Sequence, residues 1–276
     1  MYRFIQGSVY ALVVCTISFP AHALDNQITL DQVGDENRAG VVQDGSANVA
    51  TVEQSGTANA LSARSIGSDN AIDSVQAGSE NEAALIQEGN ANSLETDQAG
   101  DGNTMALTQK GDDNRMVARQ DGSENSIEAT QEGNSNYAYA HQLGARNAAT
   151  LSVKGDSNYD YLDQHGDDNV LDVTQEGNSN TAVALQYGDS NTETLSQTGD
   201  SNYAHLHQVG NENSIDSTQN GNDNVAVLHQ IGDRNDAVTV QTGDENVISA
   251  FQDGTADIIA VTQTGTGNYA QLQQAD

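Results

Sequence analysis

Glycine recurs at Gly34, Gly45, Gly56 and every eleventh position to Gly265, filling all 22 places without a miss. Asparagine keeps the same interval from Asn26 to Asn268, with Asp257 the one exception in 23 places. Glutamine keeps it from Gln32 to Gln274, with Ser65 and Val153 as the two exceptions. An acidic, aromatic-poor chain would ordinarily suggest disorder, but no composition bias produces a fixed register. The register fills 24–276 without a linker (276 − 23 = 253 = 23 × 11), so this stretch reads as one repeat domain.

Each unit has the pattern N-x-φ-x-φ-x-Q-x-G-x-x. The first φ is Ala, Ile, Leu or Met in 21 of 23 units and the second is apolar in 19. Asn, φ, φ and Gln at i, i+2, i+4 and i+6 share one face of a strand, whereas a helix would scatter them. The spacing predicts a strand of about seven residues and a tight x-G-x-x turn whose Gly supplies a conformation that a Cβ would penalise. Hairpins give no reason to repeat Asn and Gln identically. A coil of two units per rung does, because each strand then stacks parallel on the next but one and its amides hydrogen-bond along the axis. The expectation is an all-β, amyloid-like parallel two-sheet β-solenoid of 23 strands. The ladders would include Gln32, Gly34, Asn37, Gln43, Gly45 and Asn48 near one end. They continue through Gln131, Gly133, Asn136, Gln142, Gly144, Asn147, Gln175, Gly177, Asn180, Gln208, Gly210 and Asn213 to Gln263, Gly265 and Asn268.

A superperiod of two units supports two units per rung. Counting repeats from zero at Asn26, Tyr137, Tyr159, Tyr203 and Tyr269 all fall in even repeats, as do Tyr139 and Tyr161. His141, His207 and His229 form one outward even column, and the odd repeats carry Thr108, Thr130, Ser152, Thr174, Ser196, Thr218, Val240 and Thr262 there. One outer face is therefore aromatic and the other Ser/Thr-rich.

The N-terminus reads as a secretory signal. Arg3 supplies the positive region, Val9 to Phe19 the short apolar run, and Ala21-His22-Ala23 the cleavage site, with Ala21 and Ala23 as its small residues. Cleavage removes Cys15 and Pro20, the only cysteine and the only proline, so disulfides play no part and no proline breaks a ladder. A formal net charge of −31 speaks against a nucleic-acid partner.

The segments QDGSANVATVEQ at Gln43–Gln54 and QEGNSNTAVALQ at Gln175–Gln186 carry a resemblance to a known family. They resemble the repeats of the curlin subunits of bacterial curli amyloid fibres. The resemblance implies a secreted subunit that polymerises into extracellular fibres on the surface of a Gram-negative-type bacterium, for biofilm and adhesion. It implies as partners further copies of itself, other curlin-type subunits, an outer-membrane export channel, and host or surface ligands. Two departures stand out. There are many more repeats than in a typical curlin, and only Leu24 and Asp25 lie between the cleavage site and the first strand, where the family has a longer export segment.

With ~4.8 Å per rung, 23 strands in pairs make a rod of roughly 55 Å. Asn26, Ile28, Leu30 and Gln32 at one end, and Asn268, Ala270, Leu272 and Gln274 at the other, are candidate templating strands with no proline or lysine to protect the edge. Both terminal repeats are even, so a seamless junction would swap the two outer faces between successive subunits.

No cofactor, catalytic group or metal site is expected, because a uniform coil offers no pocket of convergent unlike groups. Calcium at acidic turns such as Gly111–Asn114 and Gly166–Asn169, where carboxylates would stack at rung spacing, is a weaker alternative. A metal site at His205, His207 and His229 is another, with exposed, non-ligating histidines the expectation. Asp160 and Glu193 break the inward apolar pattern and should be weak points. The rival readings are a non-polymerising surface adhesin and, from the Ser/Thr column, an ice-binding solenoid, though Glu128, Asp172 and Asp216 spoil a flat array.

Overall fold

The computed structural model describes residues 12–17 and 25–275, so Arg3, Ala21 and Ala23 lie outside the described residues. It contains 24 strands and no helix among the described residues, arranged as two parallel sheets of 12 strands each. Consecutive strands alternate between sheets, and each repeat strand pairs in register with the next but one, as in Tyr137↔Tyr159 and Gln142↔Gln164. Identical positions of the repeat thus form straight columns. The core between the sheets is thin and dry, built from small and medium residues such as Ala138, Ala140, Leu162, Ala182 and Leu206, all 2% exposed or less. Alanine suffices because each rung is only two strands deep, and burial of the larger aliphatics contributes about 1.5–3 kcal/mol apiece.

Two features depart from the sequence reading. Many repeat strands run on for nine positions, as Gln27–Asp35 and Val247–Thr255 do, while others such as Tyr159–His165 keep the expected seven. In the longer strands the pairing passes through the glycine itself, because Gly122 stacks on Gly144 one rung away and the backbone stays hydrogen-bonded. Even where the strand stops earlier, the arch remains bonded along the axis, with Gly155 N–H donating to the Glu132 carbonyl at 2.9 Å.

The second departure concerns the apolar N-terminal run. Leu12–Ile17 lies as an added strand on the odd sheet, parallel to Arg38–Ser46. It pairs Leu12 with Arg38, a wider offset than the Arg38↔Ala60 step between rungs, so it does not continue the repeat register.

Candidate functional site

The chemistry of this chain resides in its columns. Gln142 Nε2 donates to Gln164 Oε1 at 2.8 Å along the axis and to the Ser126 carbonyl at 3.0 Å across the rung. Asn136 donates from its backbone N at 3.0 Å and from Nδ2 at 3.1 Å to Asn114 Oδ1, and Nδ2 also donates to the Gly155 carbonyl at 2.7 Å. The expected ladder residues Gln43, Asn48, Gln131, Asn147, Gln175, Asn180, Gln208 and Asn213 are all at most 1% exposed. Amide groups this deeply buried need partners, and translation by one rung supplies them.

The two ladders run in opposite directions. Gln120 donates to Gln142 and Gln142 to Gln164, each one rung later, whereas Asn136 donates to Asn114 and Asn158 to Asn136, each one rung earlier. At the first rungs, Gln32 Oε1 and Gln43 Oε1 are consequently buried acceptors without a partner. At the last rungs, Gln274 accepts from Gln252 and Asn268 donates to Asn246, with no later residue to continue either ladder among the described residues. The terminal residues Asn26, Ile28, Leu30, Gln32, Ala270, Leu272 and Gln274 are only half-buried and Asn268 is exposed, as befits rungs covered on one side.

The glycine ladder is enforced twice. Its members from Gly34 to Gly243 have φ angles between +109° and +131°, and Gly265 is at +112°. A Cβ on Gly133 would also overlap the carbonyl oxygen of Gly155 one rung away, leaving no room even for alanine. The repeat requires a second left-handed residue, just before each Asn, that the sequence pattern did not expose. Ser135, Arg146, Ser157 and Asp168 have φ angles of 56°, 57°, 59° and 60° in turn. Variable identity hides this position, because Ser, Asp, Glu, Ala and Arg all occupy it.

The acidic arches are more ordered than like charges stacked at every rung. After the odd-sheet strands, the residue following Gly alternates strictly from Asn90 through Asp112, Asn134, Asp156, Asn178, Asp200 and Asn222 to Asp244. Asn134 Nδ2 donates to Asp156 Oδ1 at 3.0 Å, and the Asp156 backbone N donates to Asn178 Oδ1 at 2.9 Å. The preceding column pairs Lys110 with Glu132 at 3.2 Å and Lys154 with Glu176 at 3.4 Å. Each Asp in the alternating row is thus about 9.6 Å from the next, close to a Debye length. On the opposite arch Asp167 and Asp189 do stack, and Arg146 binds Asp168 at 2.7 Å.

The ladder exceptions prove to be connected. Val153 cannot donate, so Gln175 Oε1 lacks the Gln that would normally reach it from the rung before. That oxygen faces the fully buried carboxyl of Asp160 while Gln175 Nε2 donates to Gln197 at 2.8 Å. Turning the Gln175 amide over would let it donate to Asp160 at 3.2 Å, but would set its oxygen against Gln197 Oε1 at 2.8 Å. A protonated Asp160 would donate to that oxygen and leave the Gln175–Gln197 bond intact, while Gln175 Nε2 stays 3.2 Å from the Ala182 backbone N. Burial pushes the Asp160 carboxyl well above the usual range, consistent with that neutral form. Glu193 is likewise raised by burial, and neither of its carboxyl oxygens has a partner.

The outer faces differ as expected. On the even face Tyr137 stacks on Tyr159 at 5.2 Å and Tyr139 on Tyr161 at 4.9 Å between ring centroids, and Tyr203 and Tyr269 are exposed. His205, His207 and His229, expected to be exposed, are half-buried and meet edge to face, at 5.2 Å and 5.4 Å from His229. Burial lowers all three below the ordinary histidine value, with neighbouring imidazoles adding to the effect at His207 and His229.

Against known families, the curlin associated repeat matches residues 25–56, 89–122, 122–152, 166–199, 194–221 and 210–243. The chain belongs to the curlin repeat family. The matched stretches are the registered Gln, Gly and Asn columns described above, and both family and fold are structural rather than enzymatic. No curated protein matches the chain.

Proposed function

We infer that this curlin-repeat protein is a subunit of an extracellular curli-type amyloid fibre, exported by its N-terminal signal and polymerising end to end. The opposed polarity of its two amide ladders carries the reading. One end presents buried Gln oxygens without donors, and at the other Gln263 and Gln274 have no Gln oxygen one rung later to donate to among the described residues. The Asn ladder reverses both assignments. Each end is therefore complementary to the other and not to itself, which favours a heterologous, open-ended chain over a closed dimer. Junction Gln–Gln and Asn–Asn bonds would repeat those inside the subunit, with the exposed strand edges adding backbone bonds. While 12–17 remains on the odd sheet it occupies one growth edge, so removal of the signal would free it. The fibre would serve biofilm matrix and adhesion, with the outer faces available to surfaces or other curlin-type subunits.

Seeded growth of the mature protein, followed with a thioflavin-type dye, tests this. Ile28→Pro and Leu272→Pro, at opposite ends, should each slow elongation at least about tenfold, since a proline removes a ladder bond and disrupts the edge. Unchanged kinetics would remove the templating mechanism. A dye-negative protein that cannot be seeded would instead indicate a non-polymerising adhesin.

A further inference from the structure

The even face carries a group of side chains that neither the ladders nor fibre growth uses. His141 and Asp163 occupy the same outward column one rung apart, and His165 lies two positions beyond Asp163 on the same face. His141 Nδ1 is 2.8 Å and His165 Nε2 is 3.0 Å from the same oxygen, Asp163 Oδ1, and the three ligand atoms all lie within 4.8 Å of one another. Tyr187, in register with His165 on the next strand, donates from Oη to Asp163 Oδ2 at 3.2 Å. The aspartate side chain is 9% exposed, while the histidines, at 24% and 36%, leave one side of the group open to water.

We propose that His141, Asp163 and His165 form a binding site for a divalent transition-metal ion of the zinc class, completed by water. Two imidazole nitrogens and one carboxylate oxygen suit a borderline ion. Metal–ligand bonds of about 2.0–2.2 Å in a tetrahedron place neighbouring ligand atoms roughly 3.3–3.5 Å apart. The two separations from Asp163 Oδ1 lie about half an ångström short of that spacing, and the two imidazole nitrogens lie within 4.8 Å of each other, so small side-chain adjustments admit the ion. The rigid parallel register holds the site: His141 and Asp163 come from strands that cannot slide without breaking the Gln142–Gln164 bond beneath them. Tyr187 supplies the outer hydrogen bond that orients a ligating carboxylate. Nitrogen donors disfavour calcium, which takes oxygen ligands. His205, His207 and His229 meet as ring edges and form no comparable group.

Titrating freshly purified, unassembled mature protein with Zn2+ alone, in competition with a chromophoric chelator, tests the assignment. One tight equivalent per chain is expected. His165→Ala and His141→Ala should each weaken it at least about a hundredfold, and Tyr187→Phe about tenfold. Paired His205→Ala and His229→Ala should leave it unchanged, and excess Ca2+ should not compete. Both His165→Ala and His141→Ala remove outward side chains, and a retained β-sheet circular dichroism spectrum separates lost binding from lost folding. No saturable equivalent, binding indifferent to His165→Ala, or displacement by Ca2+ would overturn the site. The readout is independent of fibre growth, so failure of one proposal leaves the other standing.

Discussion

Adjacent strands of the odd sheet treat inward polar groups in opposite ways. Ser217 and Thr239 replace apolar core residues one rung apart, and Thr239 Oγ1 donates to Ser217 Oγ at 3.0 Å. Ser74 and Thr96 do the same in the even sheet, at 2.7 Å. Glu193, on the strand paired with that of Ser217, stands alone between Leu171 and Ile215 with both carboxyl oxygens unpartnered. A polar group in this core is accommodated when a compatible one sits one rung away. The unit of tolerance is the column rather than the residue.

A single change in the strictest column should break the molecule most severely. Gly133→Ala combines a left-handed backbone with overlap on Gly155, and should cost roughly 3–5 kcal/mol in the unassembled protein, read as a drop in the denaturation midpoint. A loss under about 1 kcal/mol would mean that the arch can move aside.

The buried carboxyls should shift stability in the other direction. Glu193→Leu should stabilise the protein by about 1–4 kcal/mol near neutral pH, since a well-packed aliphatic replaces an unsatisfied acid. Folded Asp160 and Glu193 are raised above their ordinary values of 3.8 and 4.5. Their contribution is therefore fully present below those values and is lost as pH rises through the raised folded ones. Melting temperatures of the wild type and of Asp160→Asn/Glu193→Leu should converge on acidification and separate toward neutral pH. A gap that stays constant with pH would show these acids to be uninvolved. The Asn also offers Gln175 Oε1 a donor at every pH.

The smallest effect sharpens the pairing rule itself. Thr239→Val should cost about 1 kcal/mol by leaving the Ser217 hydroxyl without its partner, while adding Ser217→Ala should recover most of the loss. Additive costs in this double-mutant cycle would deny the coupling.

The columns were legible because each residue type recurs at one interval, and the same count separated the Tyr/His face from the Ser/Thr face. Contacts between different columns were not. Val153 and Asp160 read as unrelated exceptions, yet the arch brings their rungs together around Gln175 Oε1. His141 was legible as part of a histidine column, but Asp163 between His141 and His207 was hidden because it breaks that column's composition. The left-handed position before Asn was masked by tolerance of several side chains. The Asn/Asp alternation recurs only over two full rungs, a longer period than either the unit or the rung.

That alternation gives the arch a parity. The backbone is restored by a shift of one rung, but the row from Asn90 to Asp244 is restored only by two, like a lattice whose charge order doubles its cell. Excising one rung would leave the sheets continuous and bring two aspartates, or two asparagines, face to face. Excising two would leave no scar. A slip of the register by one rung would therefore set like residues against each other along this row, whereas a slip by two rungs would restore every Asn–Asp pair.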